Sequence, residues 1–224
     1  MEHKPVCVVA GVGPGIGLAV AKRFAREGFR IALLARRGAA LRGFVAEMAE
    51  TGDAAQGFEV DLAQPAMIRH AFQLIEDTLG SPSVLIYNAA GWHEADPMQM
   101  DPDLFTADLA LCATGALVCS QAVYPQMKRR AQGSILMTGG GLALNPEYGA
   151  HLVSLTAGKA AMRGVALALA AHLEPMGIHV ATVTVTGRVG PQTAFDPDRI
   201  ADEYWYLHTQ PRGKWTREII FKGR

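Results

Sequence analysis

Neither sign of charge is in excess in this chain, whose 224 residues carry 21 Lys and Arg against 21 Asp and Glu. That balance leaves no overall field to gather nucleic acid or an anionic membrane surface, so neither is an expected partner. Cysteine is scarce as well. Cys7, Cys112 and Cys119 form an odd set at spacings that match no zinc or redox motif, and they read as buried thiols. Cys112 and Cys119 should lie two turns apart on one helix, roughly 10 Å, beyond disulfide reach without distortion. The histidines show no HExxH-type spacing, and no metal is expected. The apolar run at 5–10 is too short and too soon broken by glycine to span a bilayer, and no charged-then-apolar leader with a small-residue cleavage site is seen. A soluble, cytoplasmic protein is the expectation, with no membrane partner.

What is present is core-forming sequence: 50% of the residues are hydrophobic and 19% charged, enough for one domain with a full core over 1–224. The run PVCVV (5–9) passes directly into AGVGPGIG (10–17) and then into the helical pattern LAVAKRFAREG. Strand, glycine loop and helix in that order read as a nucleotide-phosphate site. Glycines let the backbone turn sharply and approach a diphosphate, while the free N–H groups and dipole of the helix face the anion. Gly11, Gly15 and Gly17 are the contact glycines of this reading. Their spacing is G-x-x-x-G-x-G rather than G-x-G-x-x-G, and a strand-to-helix turn without a ligand is the alternative.

Beyond the loop, β-rich runs alternate with helical periodicity. RIALLA (30–35), AQGFEV (55–60), SVLIY (83–87), GSILMT (133–138), IHVATVTV (178–185) and TREIIF (216–221) read as strands. Helices are expected near 38–51, 65–79, within 101–130, over 148–173 and over 196–209. Continuously apolar strand cores suit parallel strands covered on both faces. The sum is an α/β fold, one doubly wound Rossmann-type domain of about seven mostly parallel strands flanked by helices.

Ligands of such sheets sit at the carboxyl ends of the strands, so the residues following each run carry the chemistry. Arg36 and Arg37 follow the second strand. A carboxylate there suits the ribose 2′-hydroxyl of NAD, whereas a guanidinium suits a 2′-phosphate, so NADP(H) is preferred over NAD(H) as cofactor. An exposed basic pair at a helix start is the alternative. Asp61 ends the third strand and could equally serve the start of the next helix. Asn88, followed by Ala89, Ala90 and Gly91, ends the fourth, where small residues let the backbone lie against a flat ring or a ribose.

The loop AGVGPGIG, the pair Asp61-Leu62, YNAAG (87–91) and GK (158–159) together resemble the short-chain dehydrogenase/reductase family over essentially the whole chain. The resemblance implies that Gly11, Gly15 and Gly17 bind the diphosphate, that Asp61 bonds the adenine, and that Asn88 to Gly91 line the cofactor. Ile16, Leu62, Gly187 and Val189 are cofactor contacts by the same resemblance. It also implies an Asn-Ser-Tyr-Lys tetrad, in which tyrosine exchanges the proton, serine positions the carbonyl, lysine holds the ribose and asparagine anchors a water. Here Lys159 is present, but Cys112, Gly140 and Leu155 stand where asparagine, serine and tyrosine belong. A leucine cannot exchange a proton. A short stretch, RVGPQTAF, also stands where family members carry a longer substrate cover, which argues against efficient hydride chemistry.

His151, Leu155 and Lys159 fall at i, i+4 and i+8 of the helix expected over 148–173, so His151 is a candidate replacement acid. Tyr148 and His93 are further candidates, each with the alternative of a surface or cap residue. The aromatic cluster YWY (204–206) is either core packing or a subunit contact, and the family's late helix and last strand imply a homodimer or homotetramer. Two functions remain open: a divergent NADP-dependent oxidoreductase acting on a carbonyl or alcohol of an unknown small-molecule substrate, or a non-catalytic dinucleotide-binding or interaction protein.

Overall fold

In the computed structural model, which describes residues 4–223, the alternation becomes seven strands and seven α-helices. They run β1 (Val6–Ala10), α1 (Ile16–Arg26), β2 (Arg30–Ala35), α2 (Gly38–Glu50), β3 (Ala55–Glu59), α3 (Pro65–Leu79) and β4 (Val84–Tyr87). The second half continues with α4 (Pro102–Leu109), α5 (Gly115–Arg130), β5 (Gly133–Gly140), α6 (Val153–Leu173), β6 (Ile178–Val185), α7 (Pro197–Thr209) and β7 (Glu218–Phe221). All seven strands join one sheet in the order β3-β2-β1-β4-β5-β6-β7. Every neighbouring pair is parallel.

The apolar runs follow from this geometry. A strand points alternate side chains to opposite faces, and here both faces are covered by helices, so both sets must be apolar. In β1, Val6, Val8 and Ala10 enter the core that also holds Leu34, Leu85, Met137 and Met162. Cys7 and Val9 enter the opposite core with Phe24, Leu33, Ile86 and Tyr204. All three cysteines are buried and free. The stretches Pro102–Arg130 and Val153–Met176 are long and apolar enough to cross a membrane by length and composition. In this fold α5 packs on β4 and β5 and α6 on β5 and β6, so their apolar faces serve the core.

Two expected helices are corrected. The stretch 101–130 does not form one regular helix, because Ala110–Thr114 takes a π-helical turn between α4 and α5. The buried Tyr87 hydroxyl donates to the Leu111 carbonyl inside that turn. A widened turn leaves a helical carbonyl open to such an outside donor. The helix expected over 148–173 begins only at Val153, after a separate 3₁₀ turn at Pro146–Gly149. At Gly149 the chain folds back on the first turn of α6, and Thr156 Oγ1 lies 2.0 Å from where a Cβ would stand. His151 therefore precedes the helix and shares no helical face with Leu155 and Lys159.

Candidate cofactor site

The strand order turns at β1, with β2 on one side and β4 on the other. Loops leaving the carboxyl ends of β1 and β4 diverge there and leave a crevice. A cleft of about 640 Å³ occupies it, lined by the Gly11–Pro14 loop, Ala35 to Arg37, Val60, Leu62 and Asn88 to Ala90. Gly11 takes φ +90°, and a Cβ there would lie 2.5 Å from the Ala89 backbone nitrogen, so conformation and space both require glycine. A Cβ on Gly17 would meet the Val12 Cα at 3.0 Å and the Asn88 Nδ2 at 3.1 Å, which makes this the glycine of close helix-to-loop packing. Gly15 precedes Ile16, the first residue of α1, and no side chain caps that helix. Its first N–H groups are left for an anion. Arg36 and Arg37 are exposed on the cleft wall, and neither meets a carboxylate among the described residues. Glycine cradle, uncapped helix start, small residues at Ala89 and Ala90 and two guanidiniums fit an extended dinucleotide.

Deeper in, a chain of hydrogen bonds holds the strand ends. Asn88 Nδ2 donates to the Gly11 carbonyl at 2.9 Å, and its Oδ1 accepts from Thr138 Oγ1 at 2.7 Å. With the threonine proton so used, the buried Tyr204 hydroxyl donates to Thr138 Oγ1, 2.6 Å away. Lys159 Nζ donates to the Thr138 carbonyl at 2.7 Å. Burial lowers the Lys159 pKa, against a smaller opposite effect of Cys112. Burial raises the Cys112 thiol, opposed by Lys159 and by the Gly91 N–H donated to its sulfur. A Cβ on Gly140 would lie 3.3 Å from Lys159 Cγ, so Cys112, Gly140 and Lys159 share one neighbourhood. Asp108, on α4, lies near Cys112. Its Oδ2 accepts from Ser154 Oγ at 2.6 Å and meets His93 Nδ1 at 2.8 Å.

A model of the short chain dehydrogenase family matches residues 5–194. The chain belongs to the short-chain dehydrogenase/reductase family. Among its relatives, 2-(S)-hydroxypropyl-CoM dehydrogenase 3 of Xanthobacter autotrophicus is 35% identical over 208 residues, covering 81% of this chain and 72% of that one. The 3-oxoacyl-[acyl-carrier-protein] reductase of Bos taurus is 29% identical over 179 residues, covering 80% of this chain and 73% of the relative. Among solved structures, a metagenomic short-chain oxidoreductase in complex with NADP superposes with a TM-score of 0.85 at 26% identity, over 96% of each chain. A short-chain dehydrogenase from Rhodopseudomonas palustris gives 0.86 at 26% identity, over 98% of each. The family is one of oxidoreductases whose fold binds NAD(P), and the sheet described above is its Rossmann-type sheet.

Within that family frame, the sequence-predicted residues fall into two groups. Gly11, Arg36, Arg37, Leu62, Asn88, Ala89 and Ala90 line the cleft. Val189 faces Gly15, its Cγ1 3.9 Å from that glycine's Cβ position. Asp61 stands between the cleft residues Val60 and Leu62, and its Oδ1 accepts the Ala63 N–H at 3.0 Å in a turn before α3. Gly187 is packed by the Phe195 ring. Tyr148 is 80% exposed. His151 is exposed too, and its carbonyl accepts the Ala95 N–H at 3.0 Å. Leu155 is buried at the start of α6. Sequence reasoning missed Asp108, Thr138, Ser154 and Tyr204. One signal was available for Asp108: a carboxylate set inside the apolar stretch TADLALCATGALV.

Proposed function

We propose that the chain is an NADP(H)-dependent oxidoreductase acting on a carbonyl or alcohol, working in the cytoplasm as a single domain within a homodimer or homotetramer. One observation carries the cofactor choice: Arg36 and Arg37 stand on the cleft wall at the end of β2 without a carboxylate partner. A 2′-phosphate supplies the anion that such guanidiniums match with charge-assisted, bidentate bonds. Gly11, Gly15, Gly17 and the start of α1 hold the diphosphate, Asp61 the adenine, and Ala89 to Gly91 the ribose and ring. Lys159, Gly187 and Val189 border the nicotinamide end. The bound nicotinamide supplies or accepts hydride. Exposed Tyr206 on α7 and Ile220 on β7 support self-association.

A second reading is a non-catalytic dinucleotide-binding or interaction protein. Leu155 and Gly140 favour it, since neither can move a proton or orient a carbonyl. Fluorescence titration of cofactor-free protein with NADPH and NADH tests the first claim without a substrate. The expected result is tighter NADPH binding, weakened about 10- to 100-fold by Arg36→Ala, the range for losing a charged hydrogen bond. Equal affinity for the two nucleotides would remove the NADP assignment. No binding of either would leave the interaction reading.

A further inference from the structure

We infer that His93, held by Asp108, exchanges the proton with the substrate oxygen in this chain, in the role left vacant at Leu155. The inference rests on the oxidoreductase reading above. Asp108 is only 3% exposed and faces inward from α4. A buried carboxylate is costly unless partnered. Its partners are Ser154, itself fully buried, and His93, on the loop that leaves β4 just past Ala89 and Ala90. The serine hydroxyl donates to Oδ2, and the imidazole meets the same oxygen through Nδ1, which keeps a proton on Nδ1. Nε2 is then the nitrogen free to take up and deliver a proton, and the ring orientation is fixed by the carboxylate. The His93 side chain is 41% exposed, so water reaches it to restore the proton.

Contacts tie this pair to the reacting end of the cleft. Gly91 has no Cβ because Asp108 Oδ1 lies 1.9 Å from the place it would take, so the cofactor-lining loop is shaped around the carboxylate. The Gly91 N–H donates to the Cys112 sulfur, and Cys112 packs 2.8 Å from the Cβ position of Gly158, next to Lys159. Ser154 immediately precedes Leu155. In the reductive direction the carbonyl carbon gains hydride from the dihydronicotinamide, and the C=O π pair moves to oxygen. That oxygen takes the proton from His93 Nε2, giving the alcohol and the oxidised nicotinamide. His93 is left neutral, its Nδ1 proton still on the ring and donated to Asp108 Oδ2, and Nε2 regains its proton from water. Asp108 is a positioning residue, because it acts through His93.

The full chain is assayed for NADPH oxidation with 9,10-phenanthrenequinone, ethyl acetoacetate and acetophenone, and NADPH affinity is followed separately by fluorescence. His93→Ala should lower kcat about 100-fold or more, the low end for a lost general acid. It should keep NADPH affinity within twofold and recover part of its rate with added imidazole. In ¹⁵N-resolved NMR of the cofactor-free protein, neutral His93 should carry its proton on Nδ1. Asp108→Asn should shift it toward Nε2 and lower kcat while binding is kept. Wild-type rates in His93→Ala would overturn the inference and leave the oxidoreductase reading intact. An Nε2–H tautomer in the unmutated protein would also overturn it, as would a larger loss in Tyr148→Phe or His151→Ala than in His93→Ala. A protein that binds NADPH yet turns over none of the three carbonyls overturns both readings.

Discussion

Lys159 is a buried cation with no carboxylate beside it among the described residues; its ammonium donates to the Thr138 carbonyl, and burial lowers its pKa. Stability alone does not favour such a group, since an unpaired charge loses its hydration and gains one hydrogen bond in return. The proposed contact with the cofactor ribose supplies a reason for it. Lys159→Met should therefore stabilise the cofactor-free fold by about 1 kcal/mol, net of the donor lost at Thr138. The same change should weaken NADPH binding at least tenfold. Urea unfolding and fluorescence titration on one preparation read both, and a destabilised variant with unchanged affinity would make Lys159 a structural residue only. The glycines of the loop were legible because their backbone demands the letter: at Gly11 a positive φ coincides with the Ala89 nitrogen 2.5 Å from the Cβ position. The His93, Asp108 and Ser154 cluster was not. Its contacts span 15 and 46 residues and exist only once α4, α6 and the loop after β4 have packed together.

Among the elements, buried parallel strands were the most legible, because covering both faces leaves an unbroken apolar run such as β6, expected and found over Ile178–Val185. Helix starts were less so. The apolar pattern of α6 extends back past its true beginning, and the turn at Pro146–Gly149 that separates the two comes from Gly149 meeting Thr156. The break at Ala110–Thr114 was equally hidden, since it depends on the Tyr87 hydroxyl arriving from a distant strand. At the sheet edge β7 is short and only partly buried, so it needs a tie beyond its ladder. Glu218 provides it, accepting from Arg163 at 2.9 and 2.6 Å and from Thr184 Oγ1 at 2.7 Å. The Arg163 guanidinium holds the Glu218 carboxyl below its ordinary value. This contribution is present at neutral pH and is lost as pH falls through that lowered value. Glu218→Ala should cost about 1–2 kcal/mol, the range for charged hydrogen bonds discounted for partial exposure. Hydrogen exchange at Ile219 to Phe221 should quicken more than in β1, and equal quickening would mean that β7 opens only with the whole sheet.

Over the whole molecule, the two ends of the sheet differ. The carboxyl end is shaped by glycine, small residues and cations for a ligand, whereas the amino end is closed by two histidines. His179, stacked on Trp215 with centroids 5.0 Å apart, has Nδ1 3.0 Å from the Leu207 carbonyl and Nε2 2.9 Å from the Thr216 carbonyl, and the neutral ring donates to one of the two. His208 meets Ser134 Oγ at 2.9 Å and packs in the ring cluster of Phe24, Phe29 and Trp205. A cavity of about 550 Å³ opens beside them, between Arg130, Arg212 and Trp215. Burial, the largest cause for both, lowers the pKa of His179 and pushes His208 down to about 4, with His179 adding to the latter. A histidine held neutral in the fold and free to protonate when unfolded makes the unfolded state bind more protons between the two values. Stability then rises with pH across that window and is lost as pH falls from the ordinary imidazole value toward about 4. At ~1.4 kcal/mol per pH unit, His208 alone accounts for up to about 3 kcal/mol between its unfolded value and the lowered one. Urea midpoints measured from pH 7.5 to 4.5 should therefore fall steeply below pH about 6.5, while the slope m stays constant. His208→Gln removes the titration, so its midpoint should start lower at pH 7.5 and decline more gently on acidification. An equally steep decline in that variant would assign the acid sensitivity to the carboxylates and away from this end of the sheet.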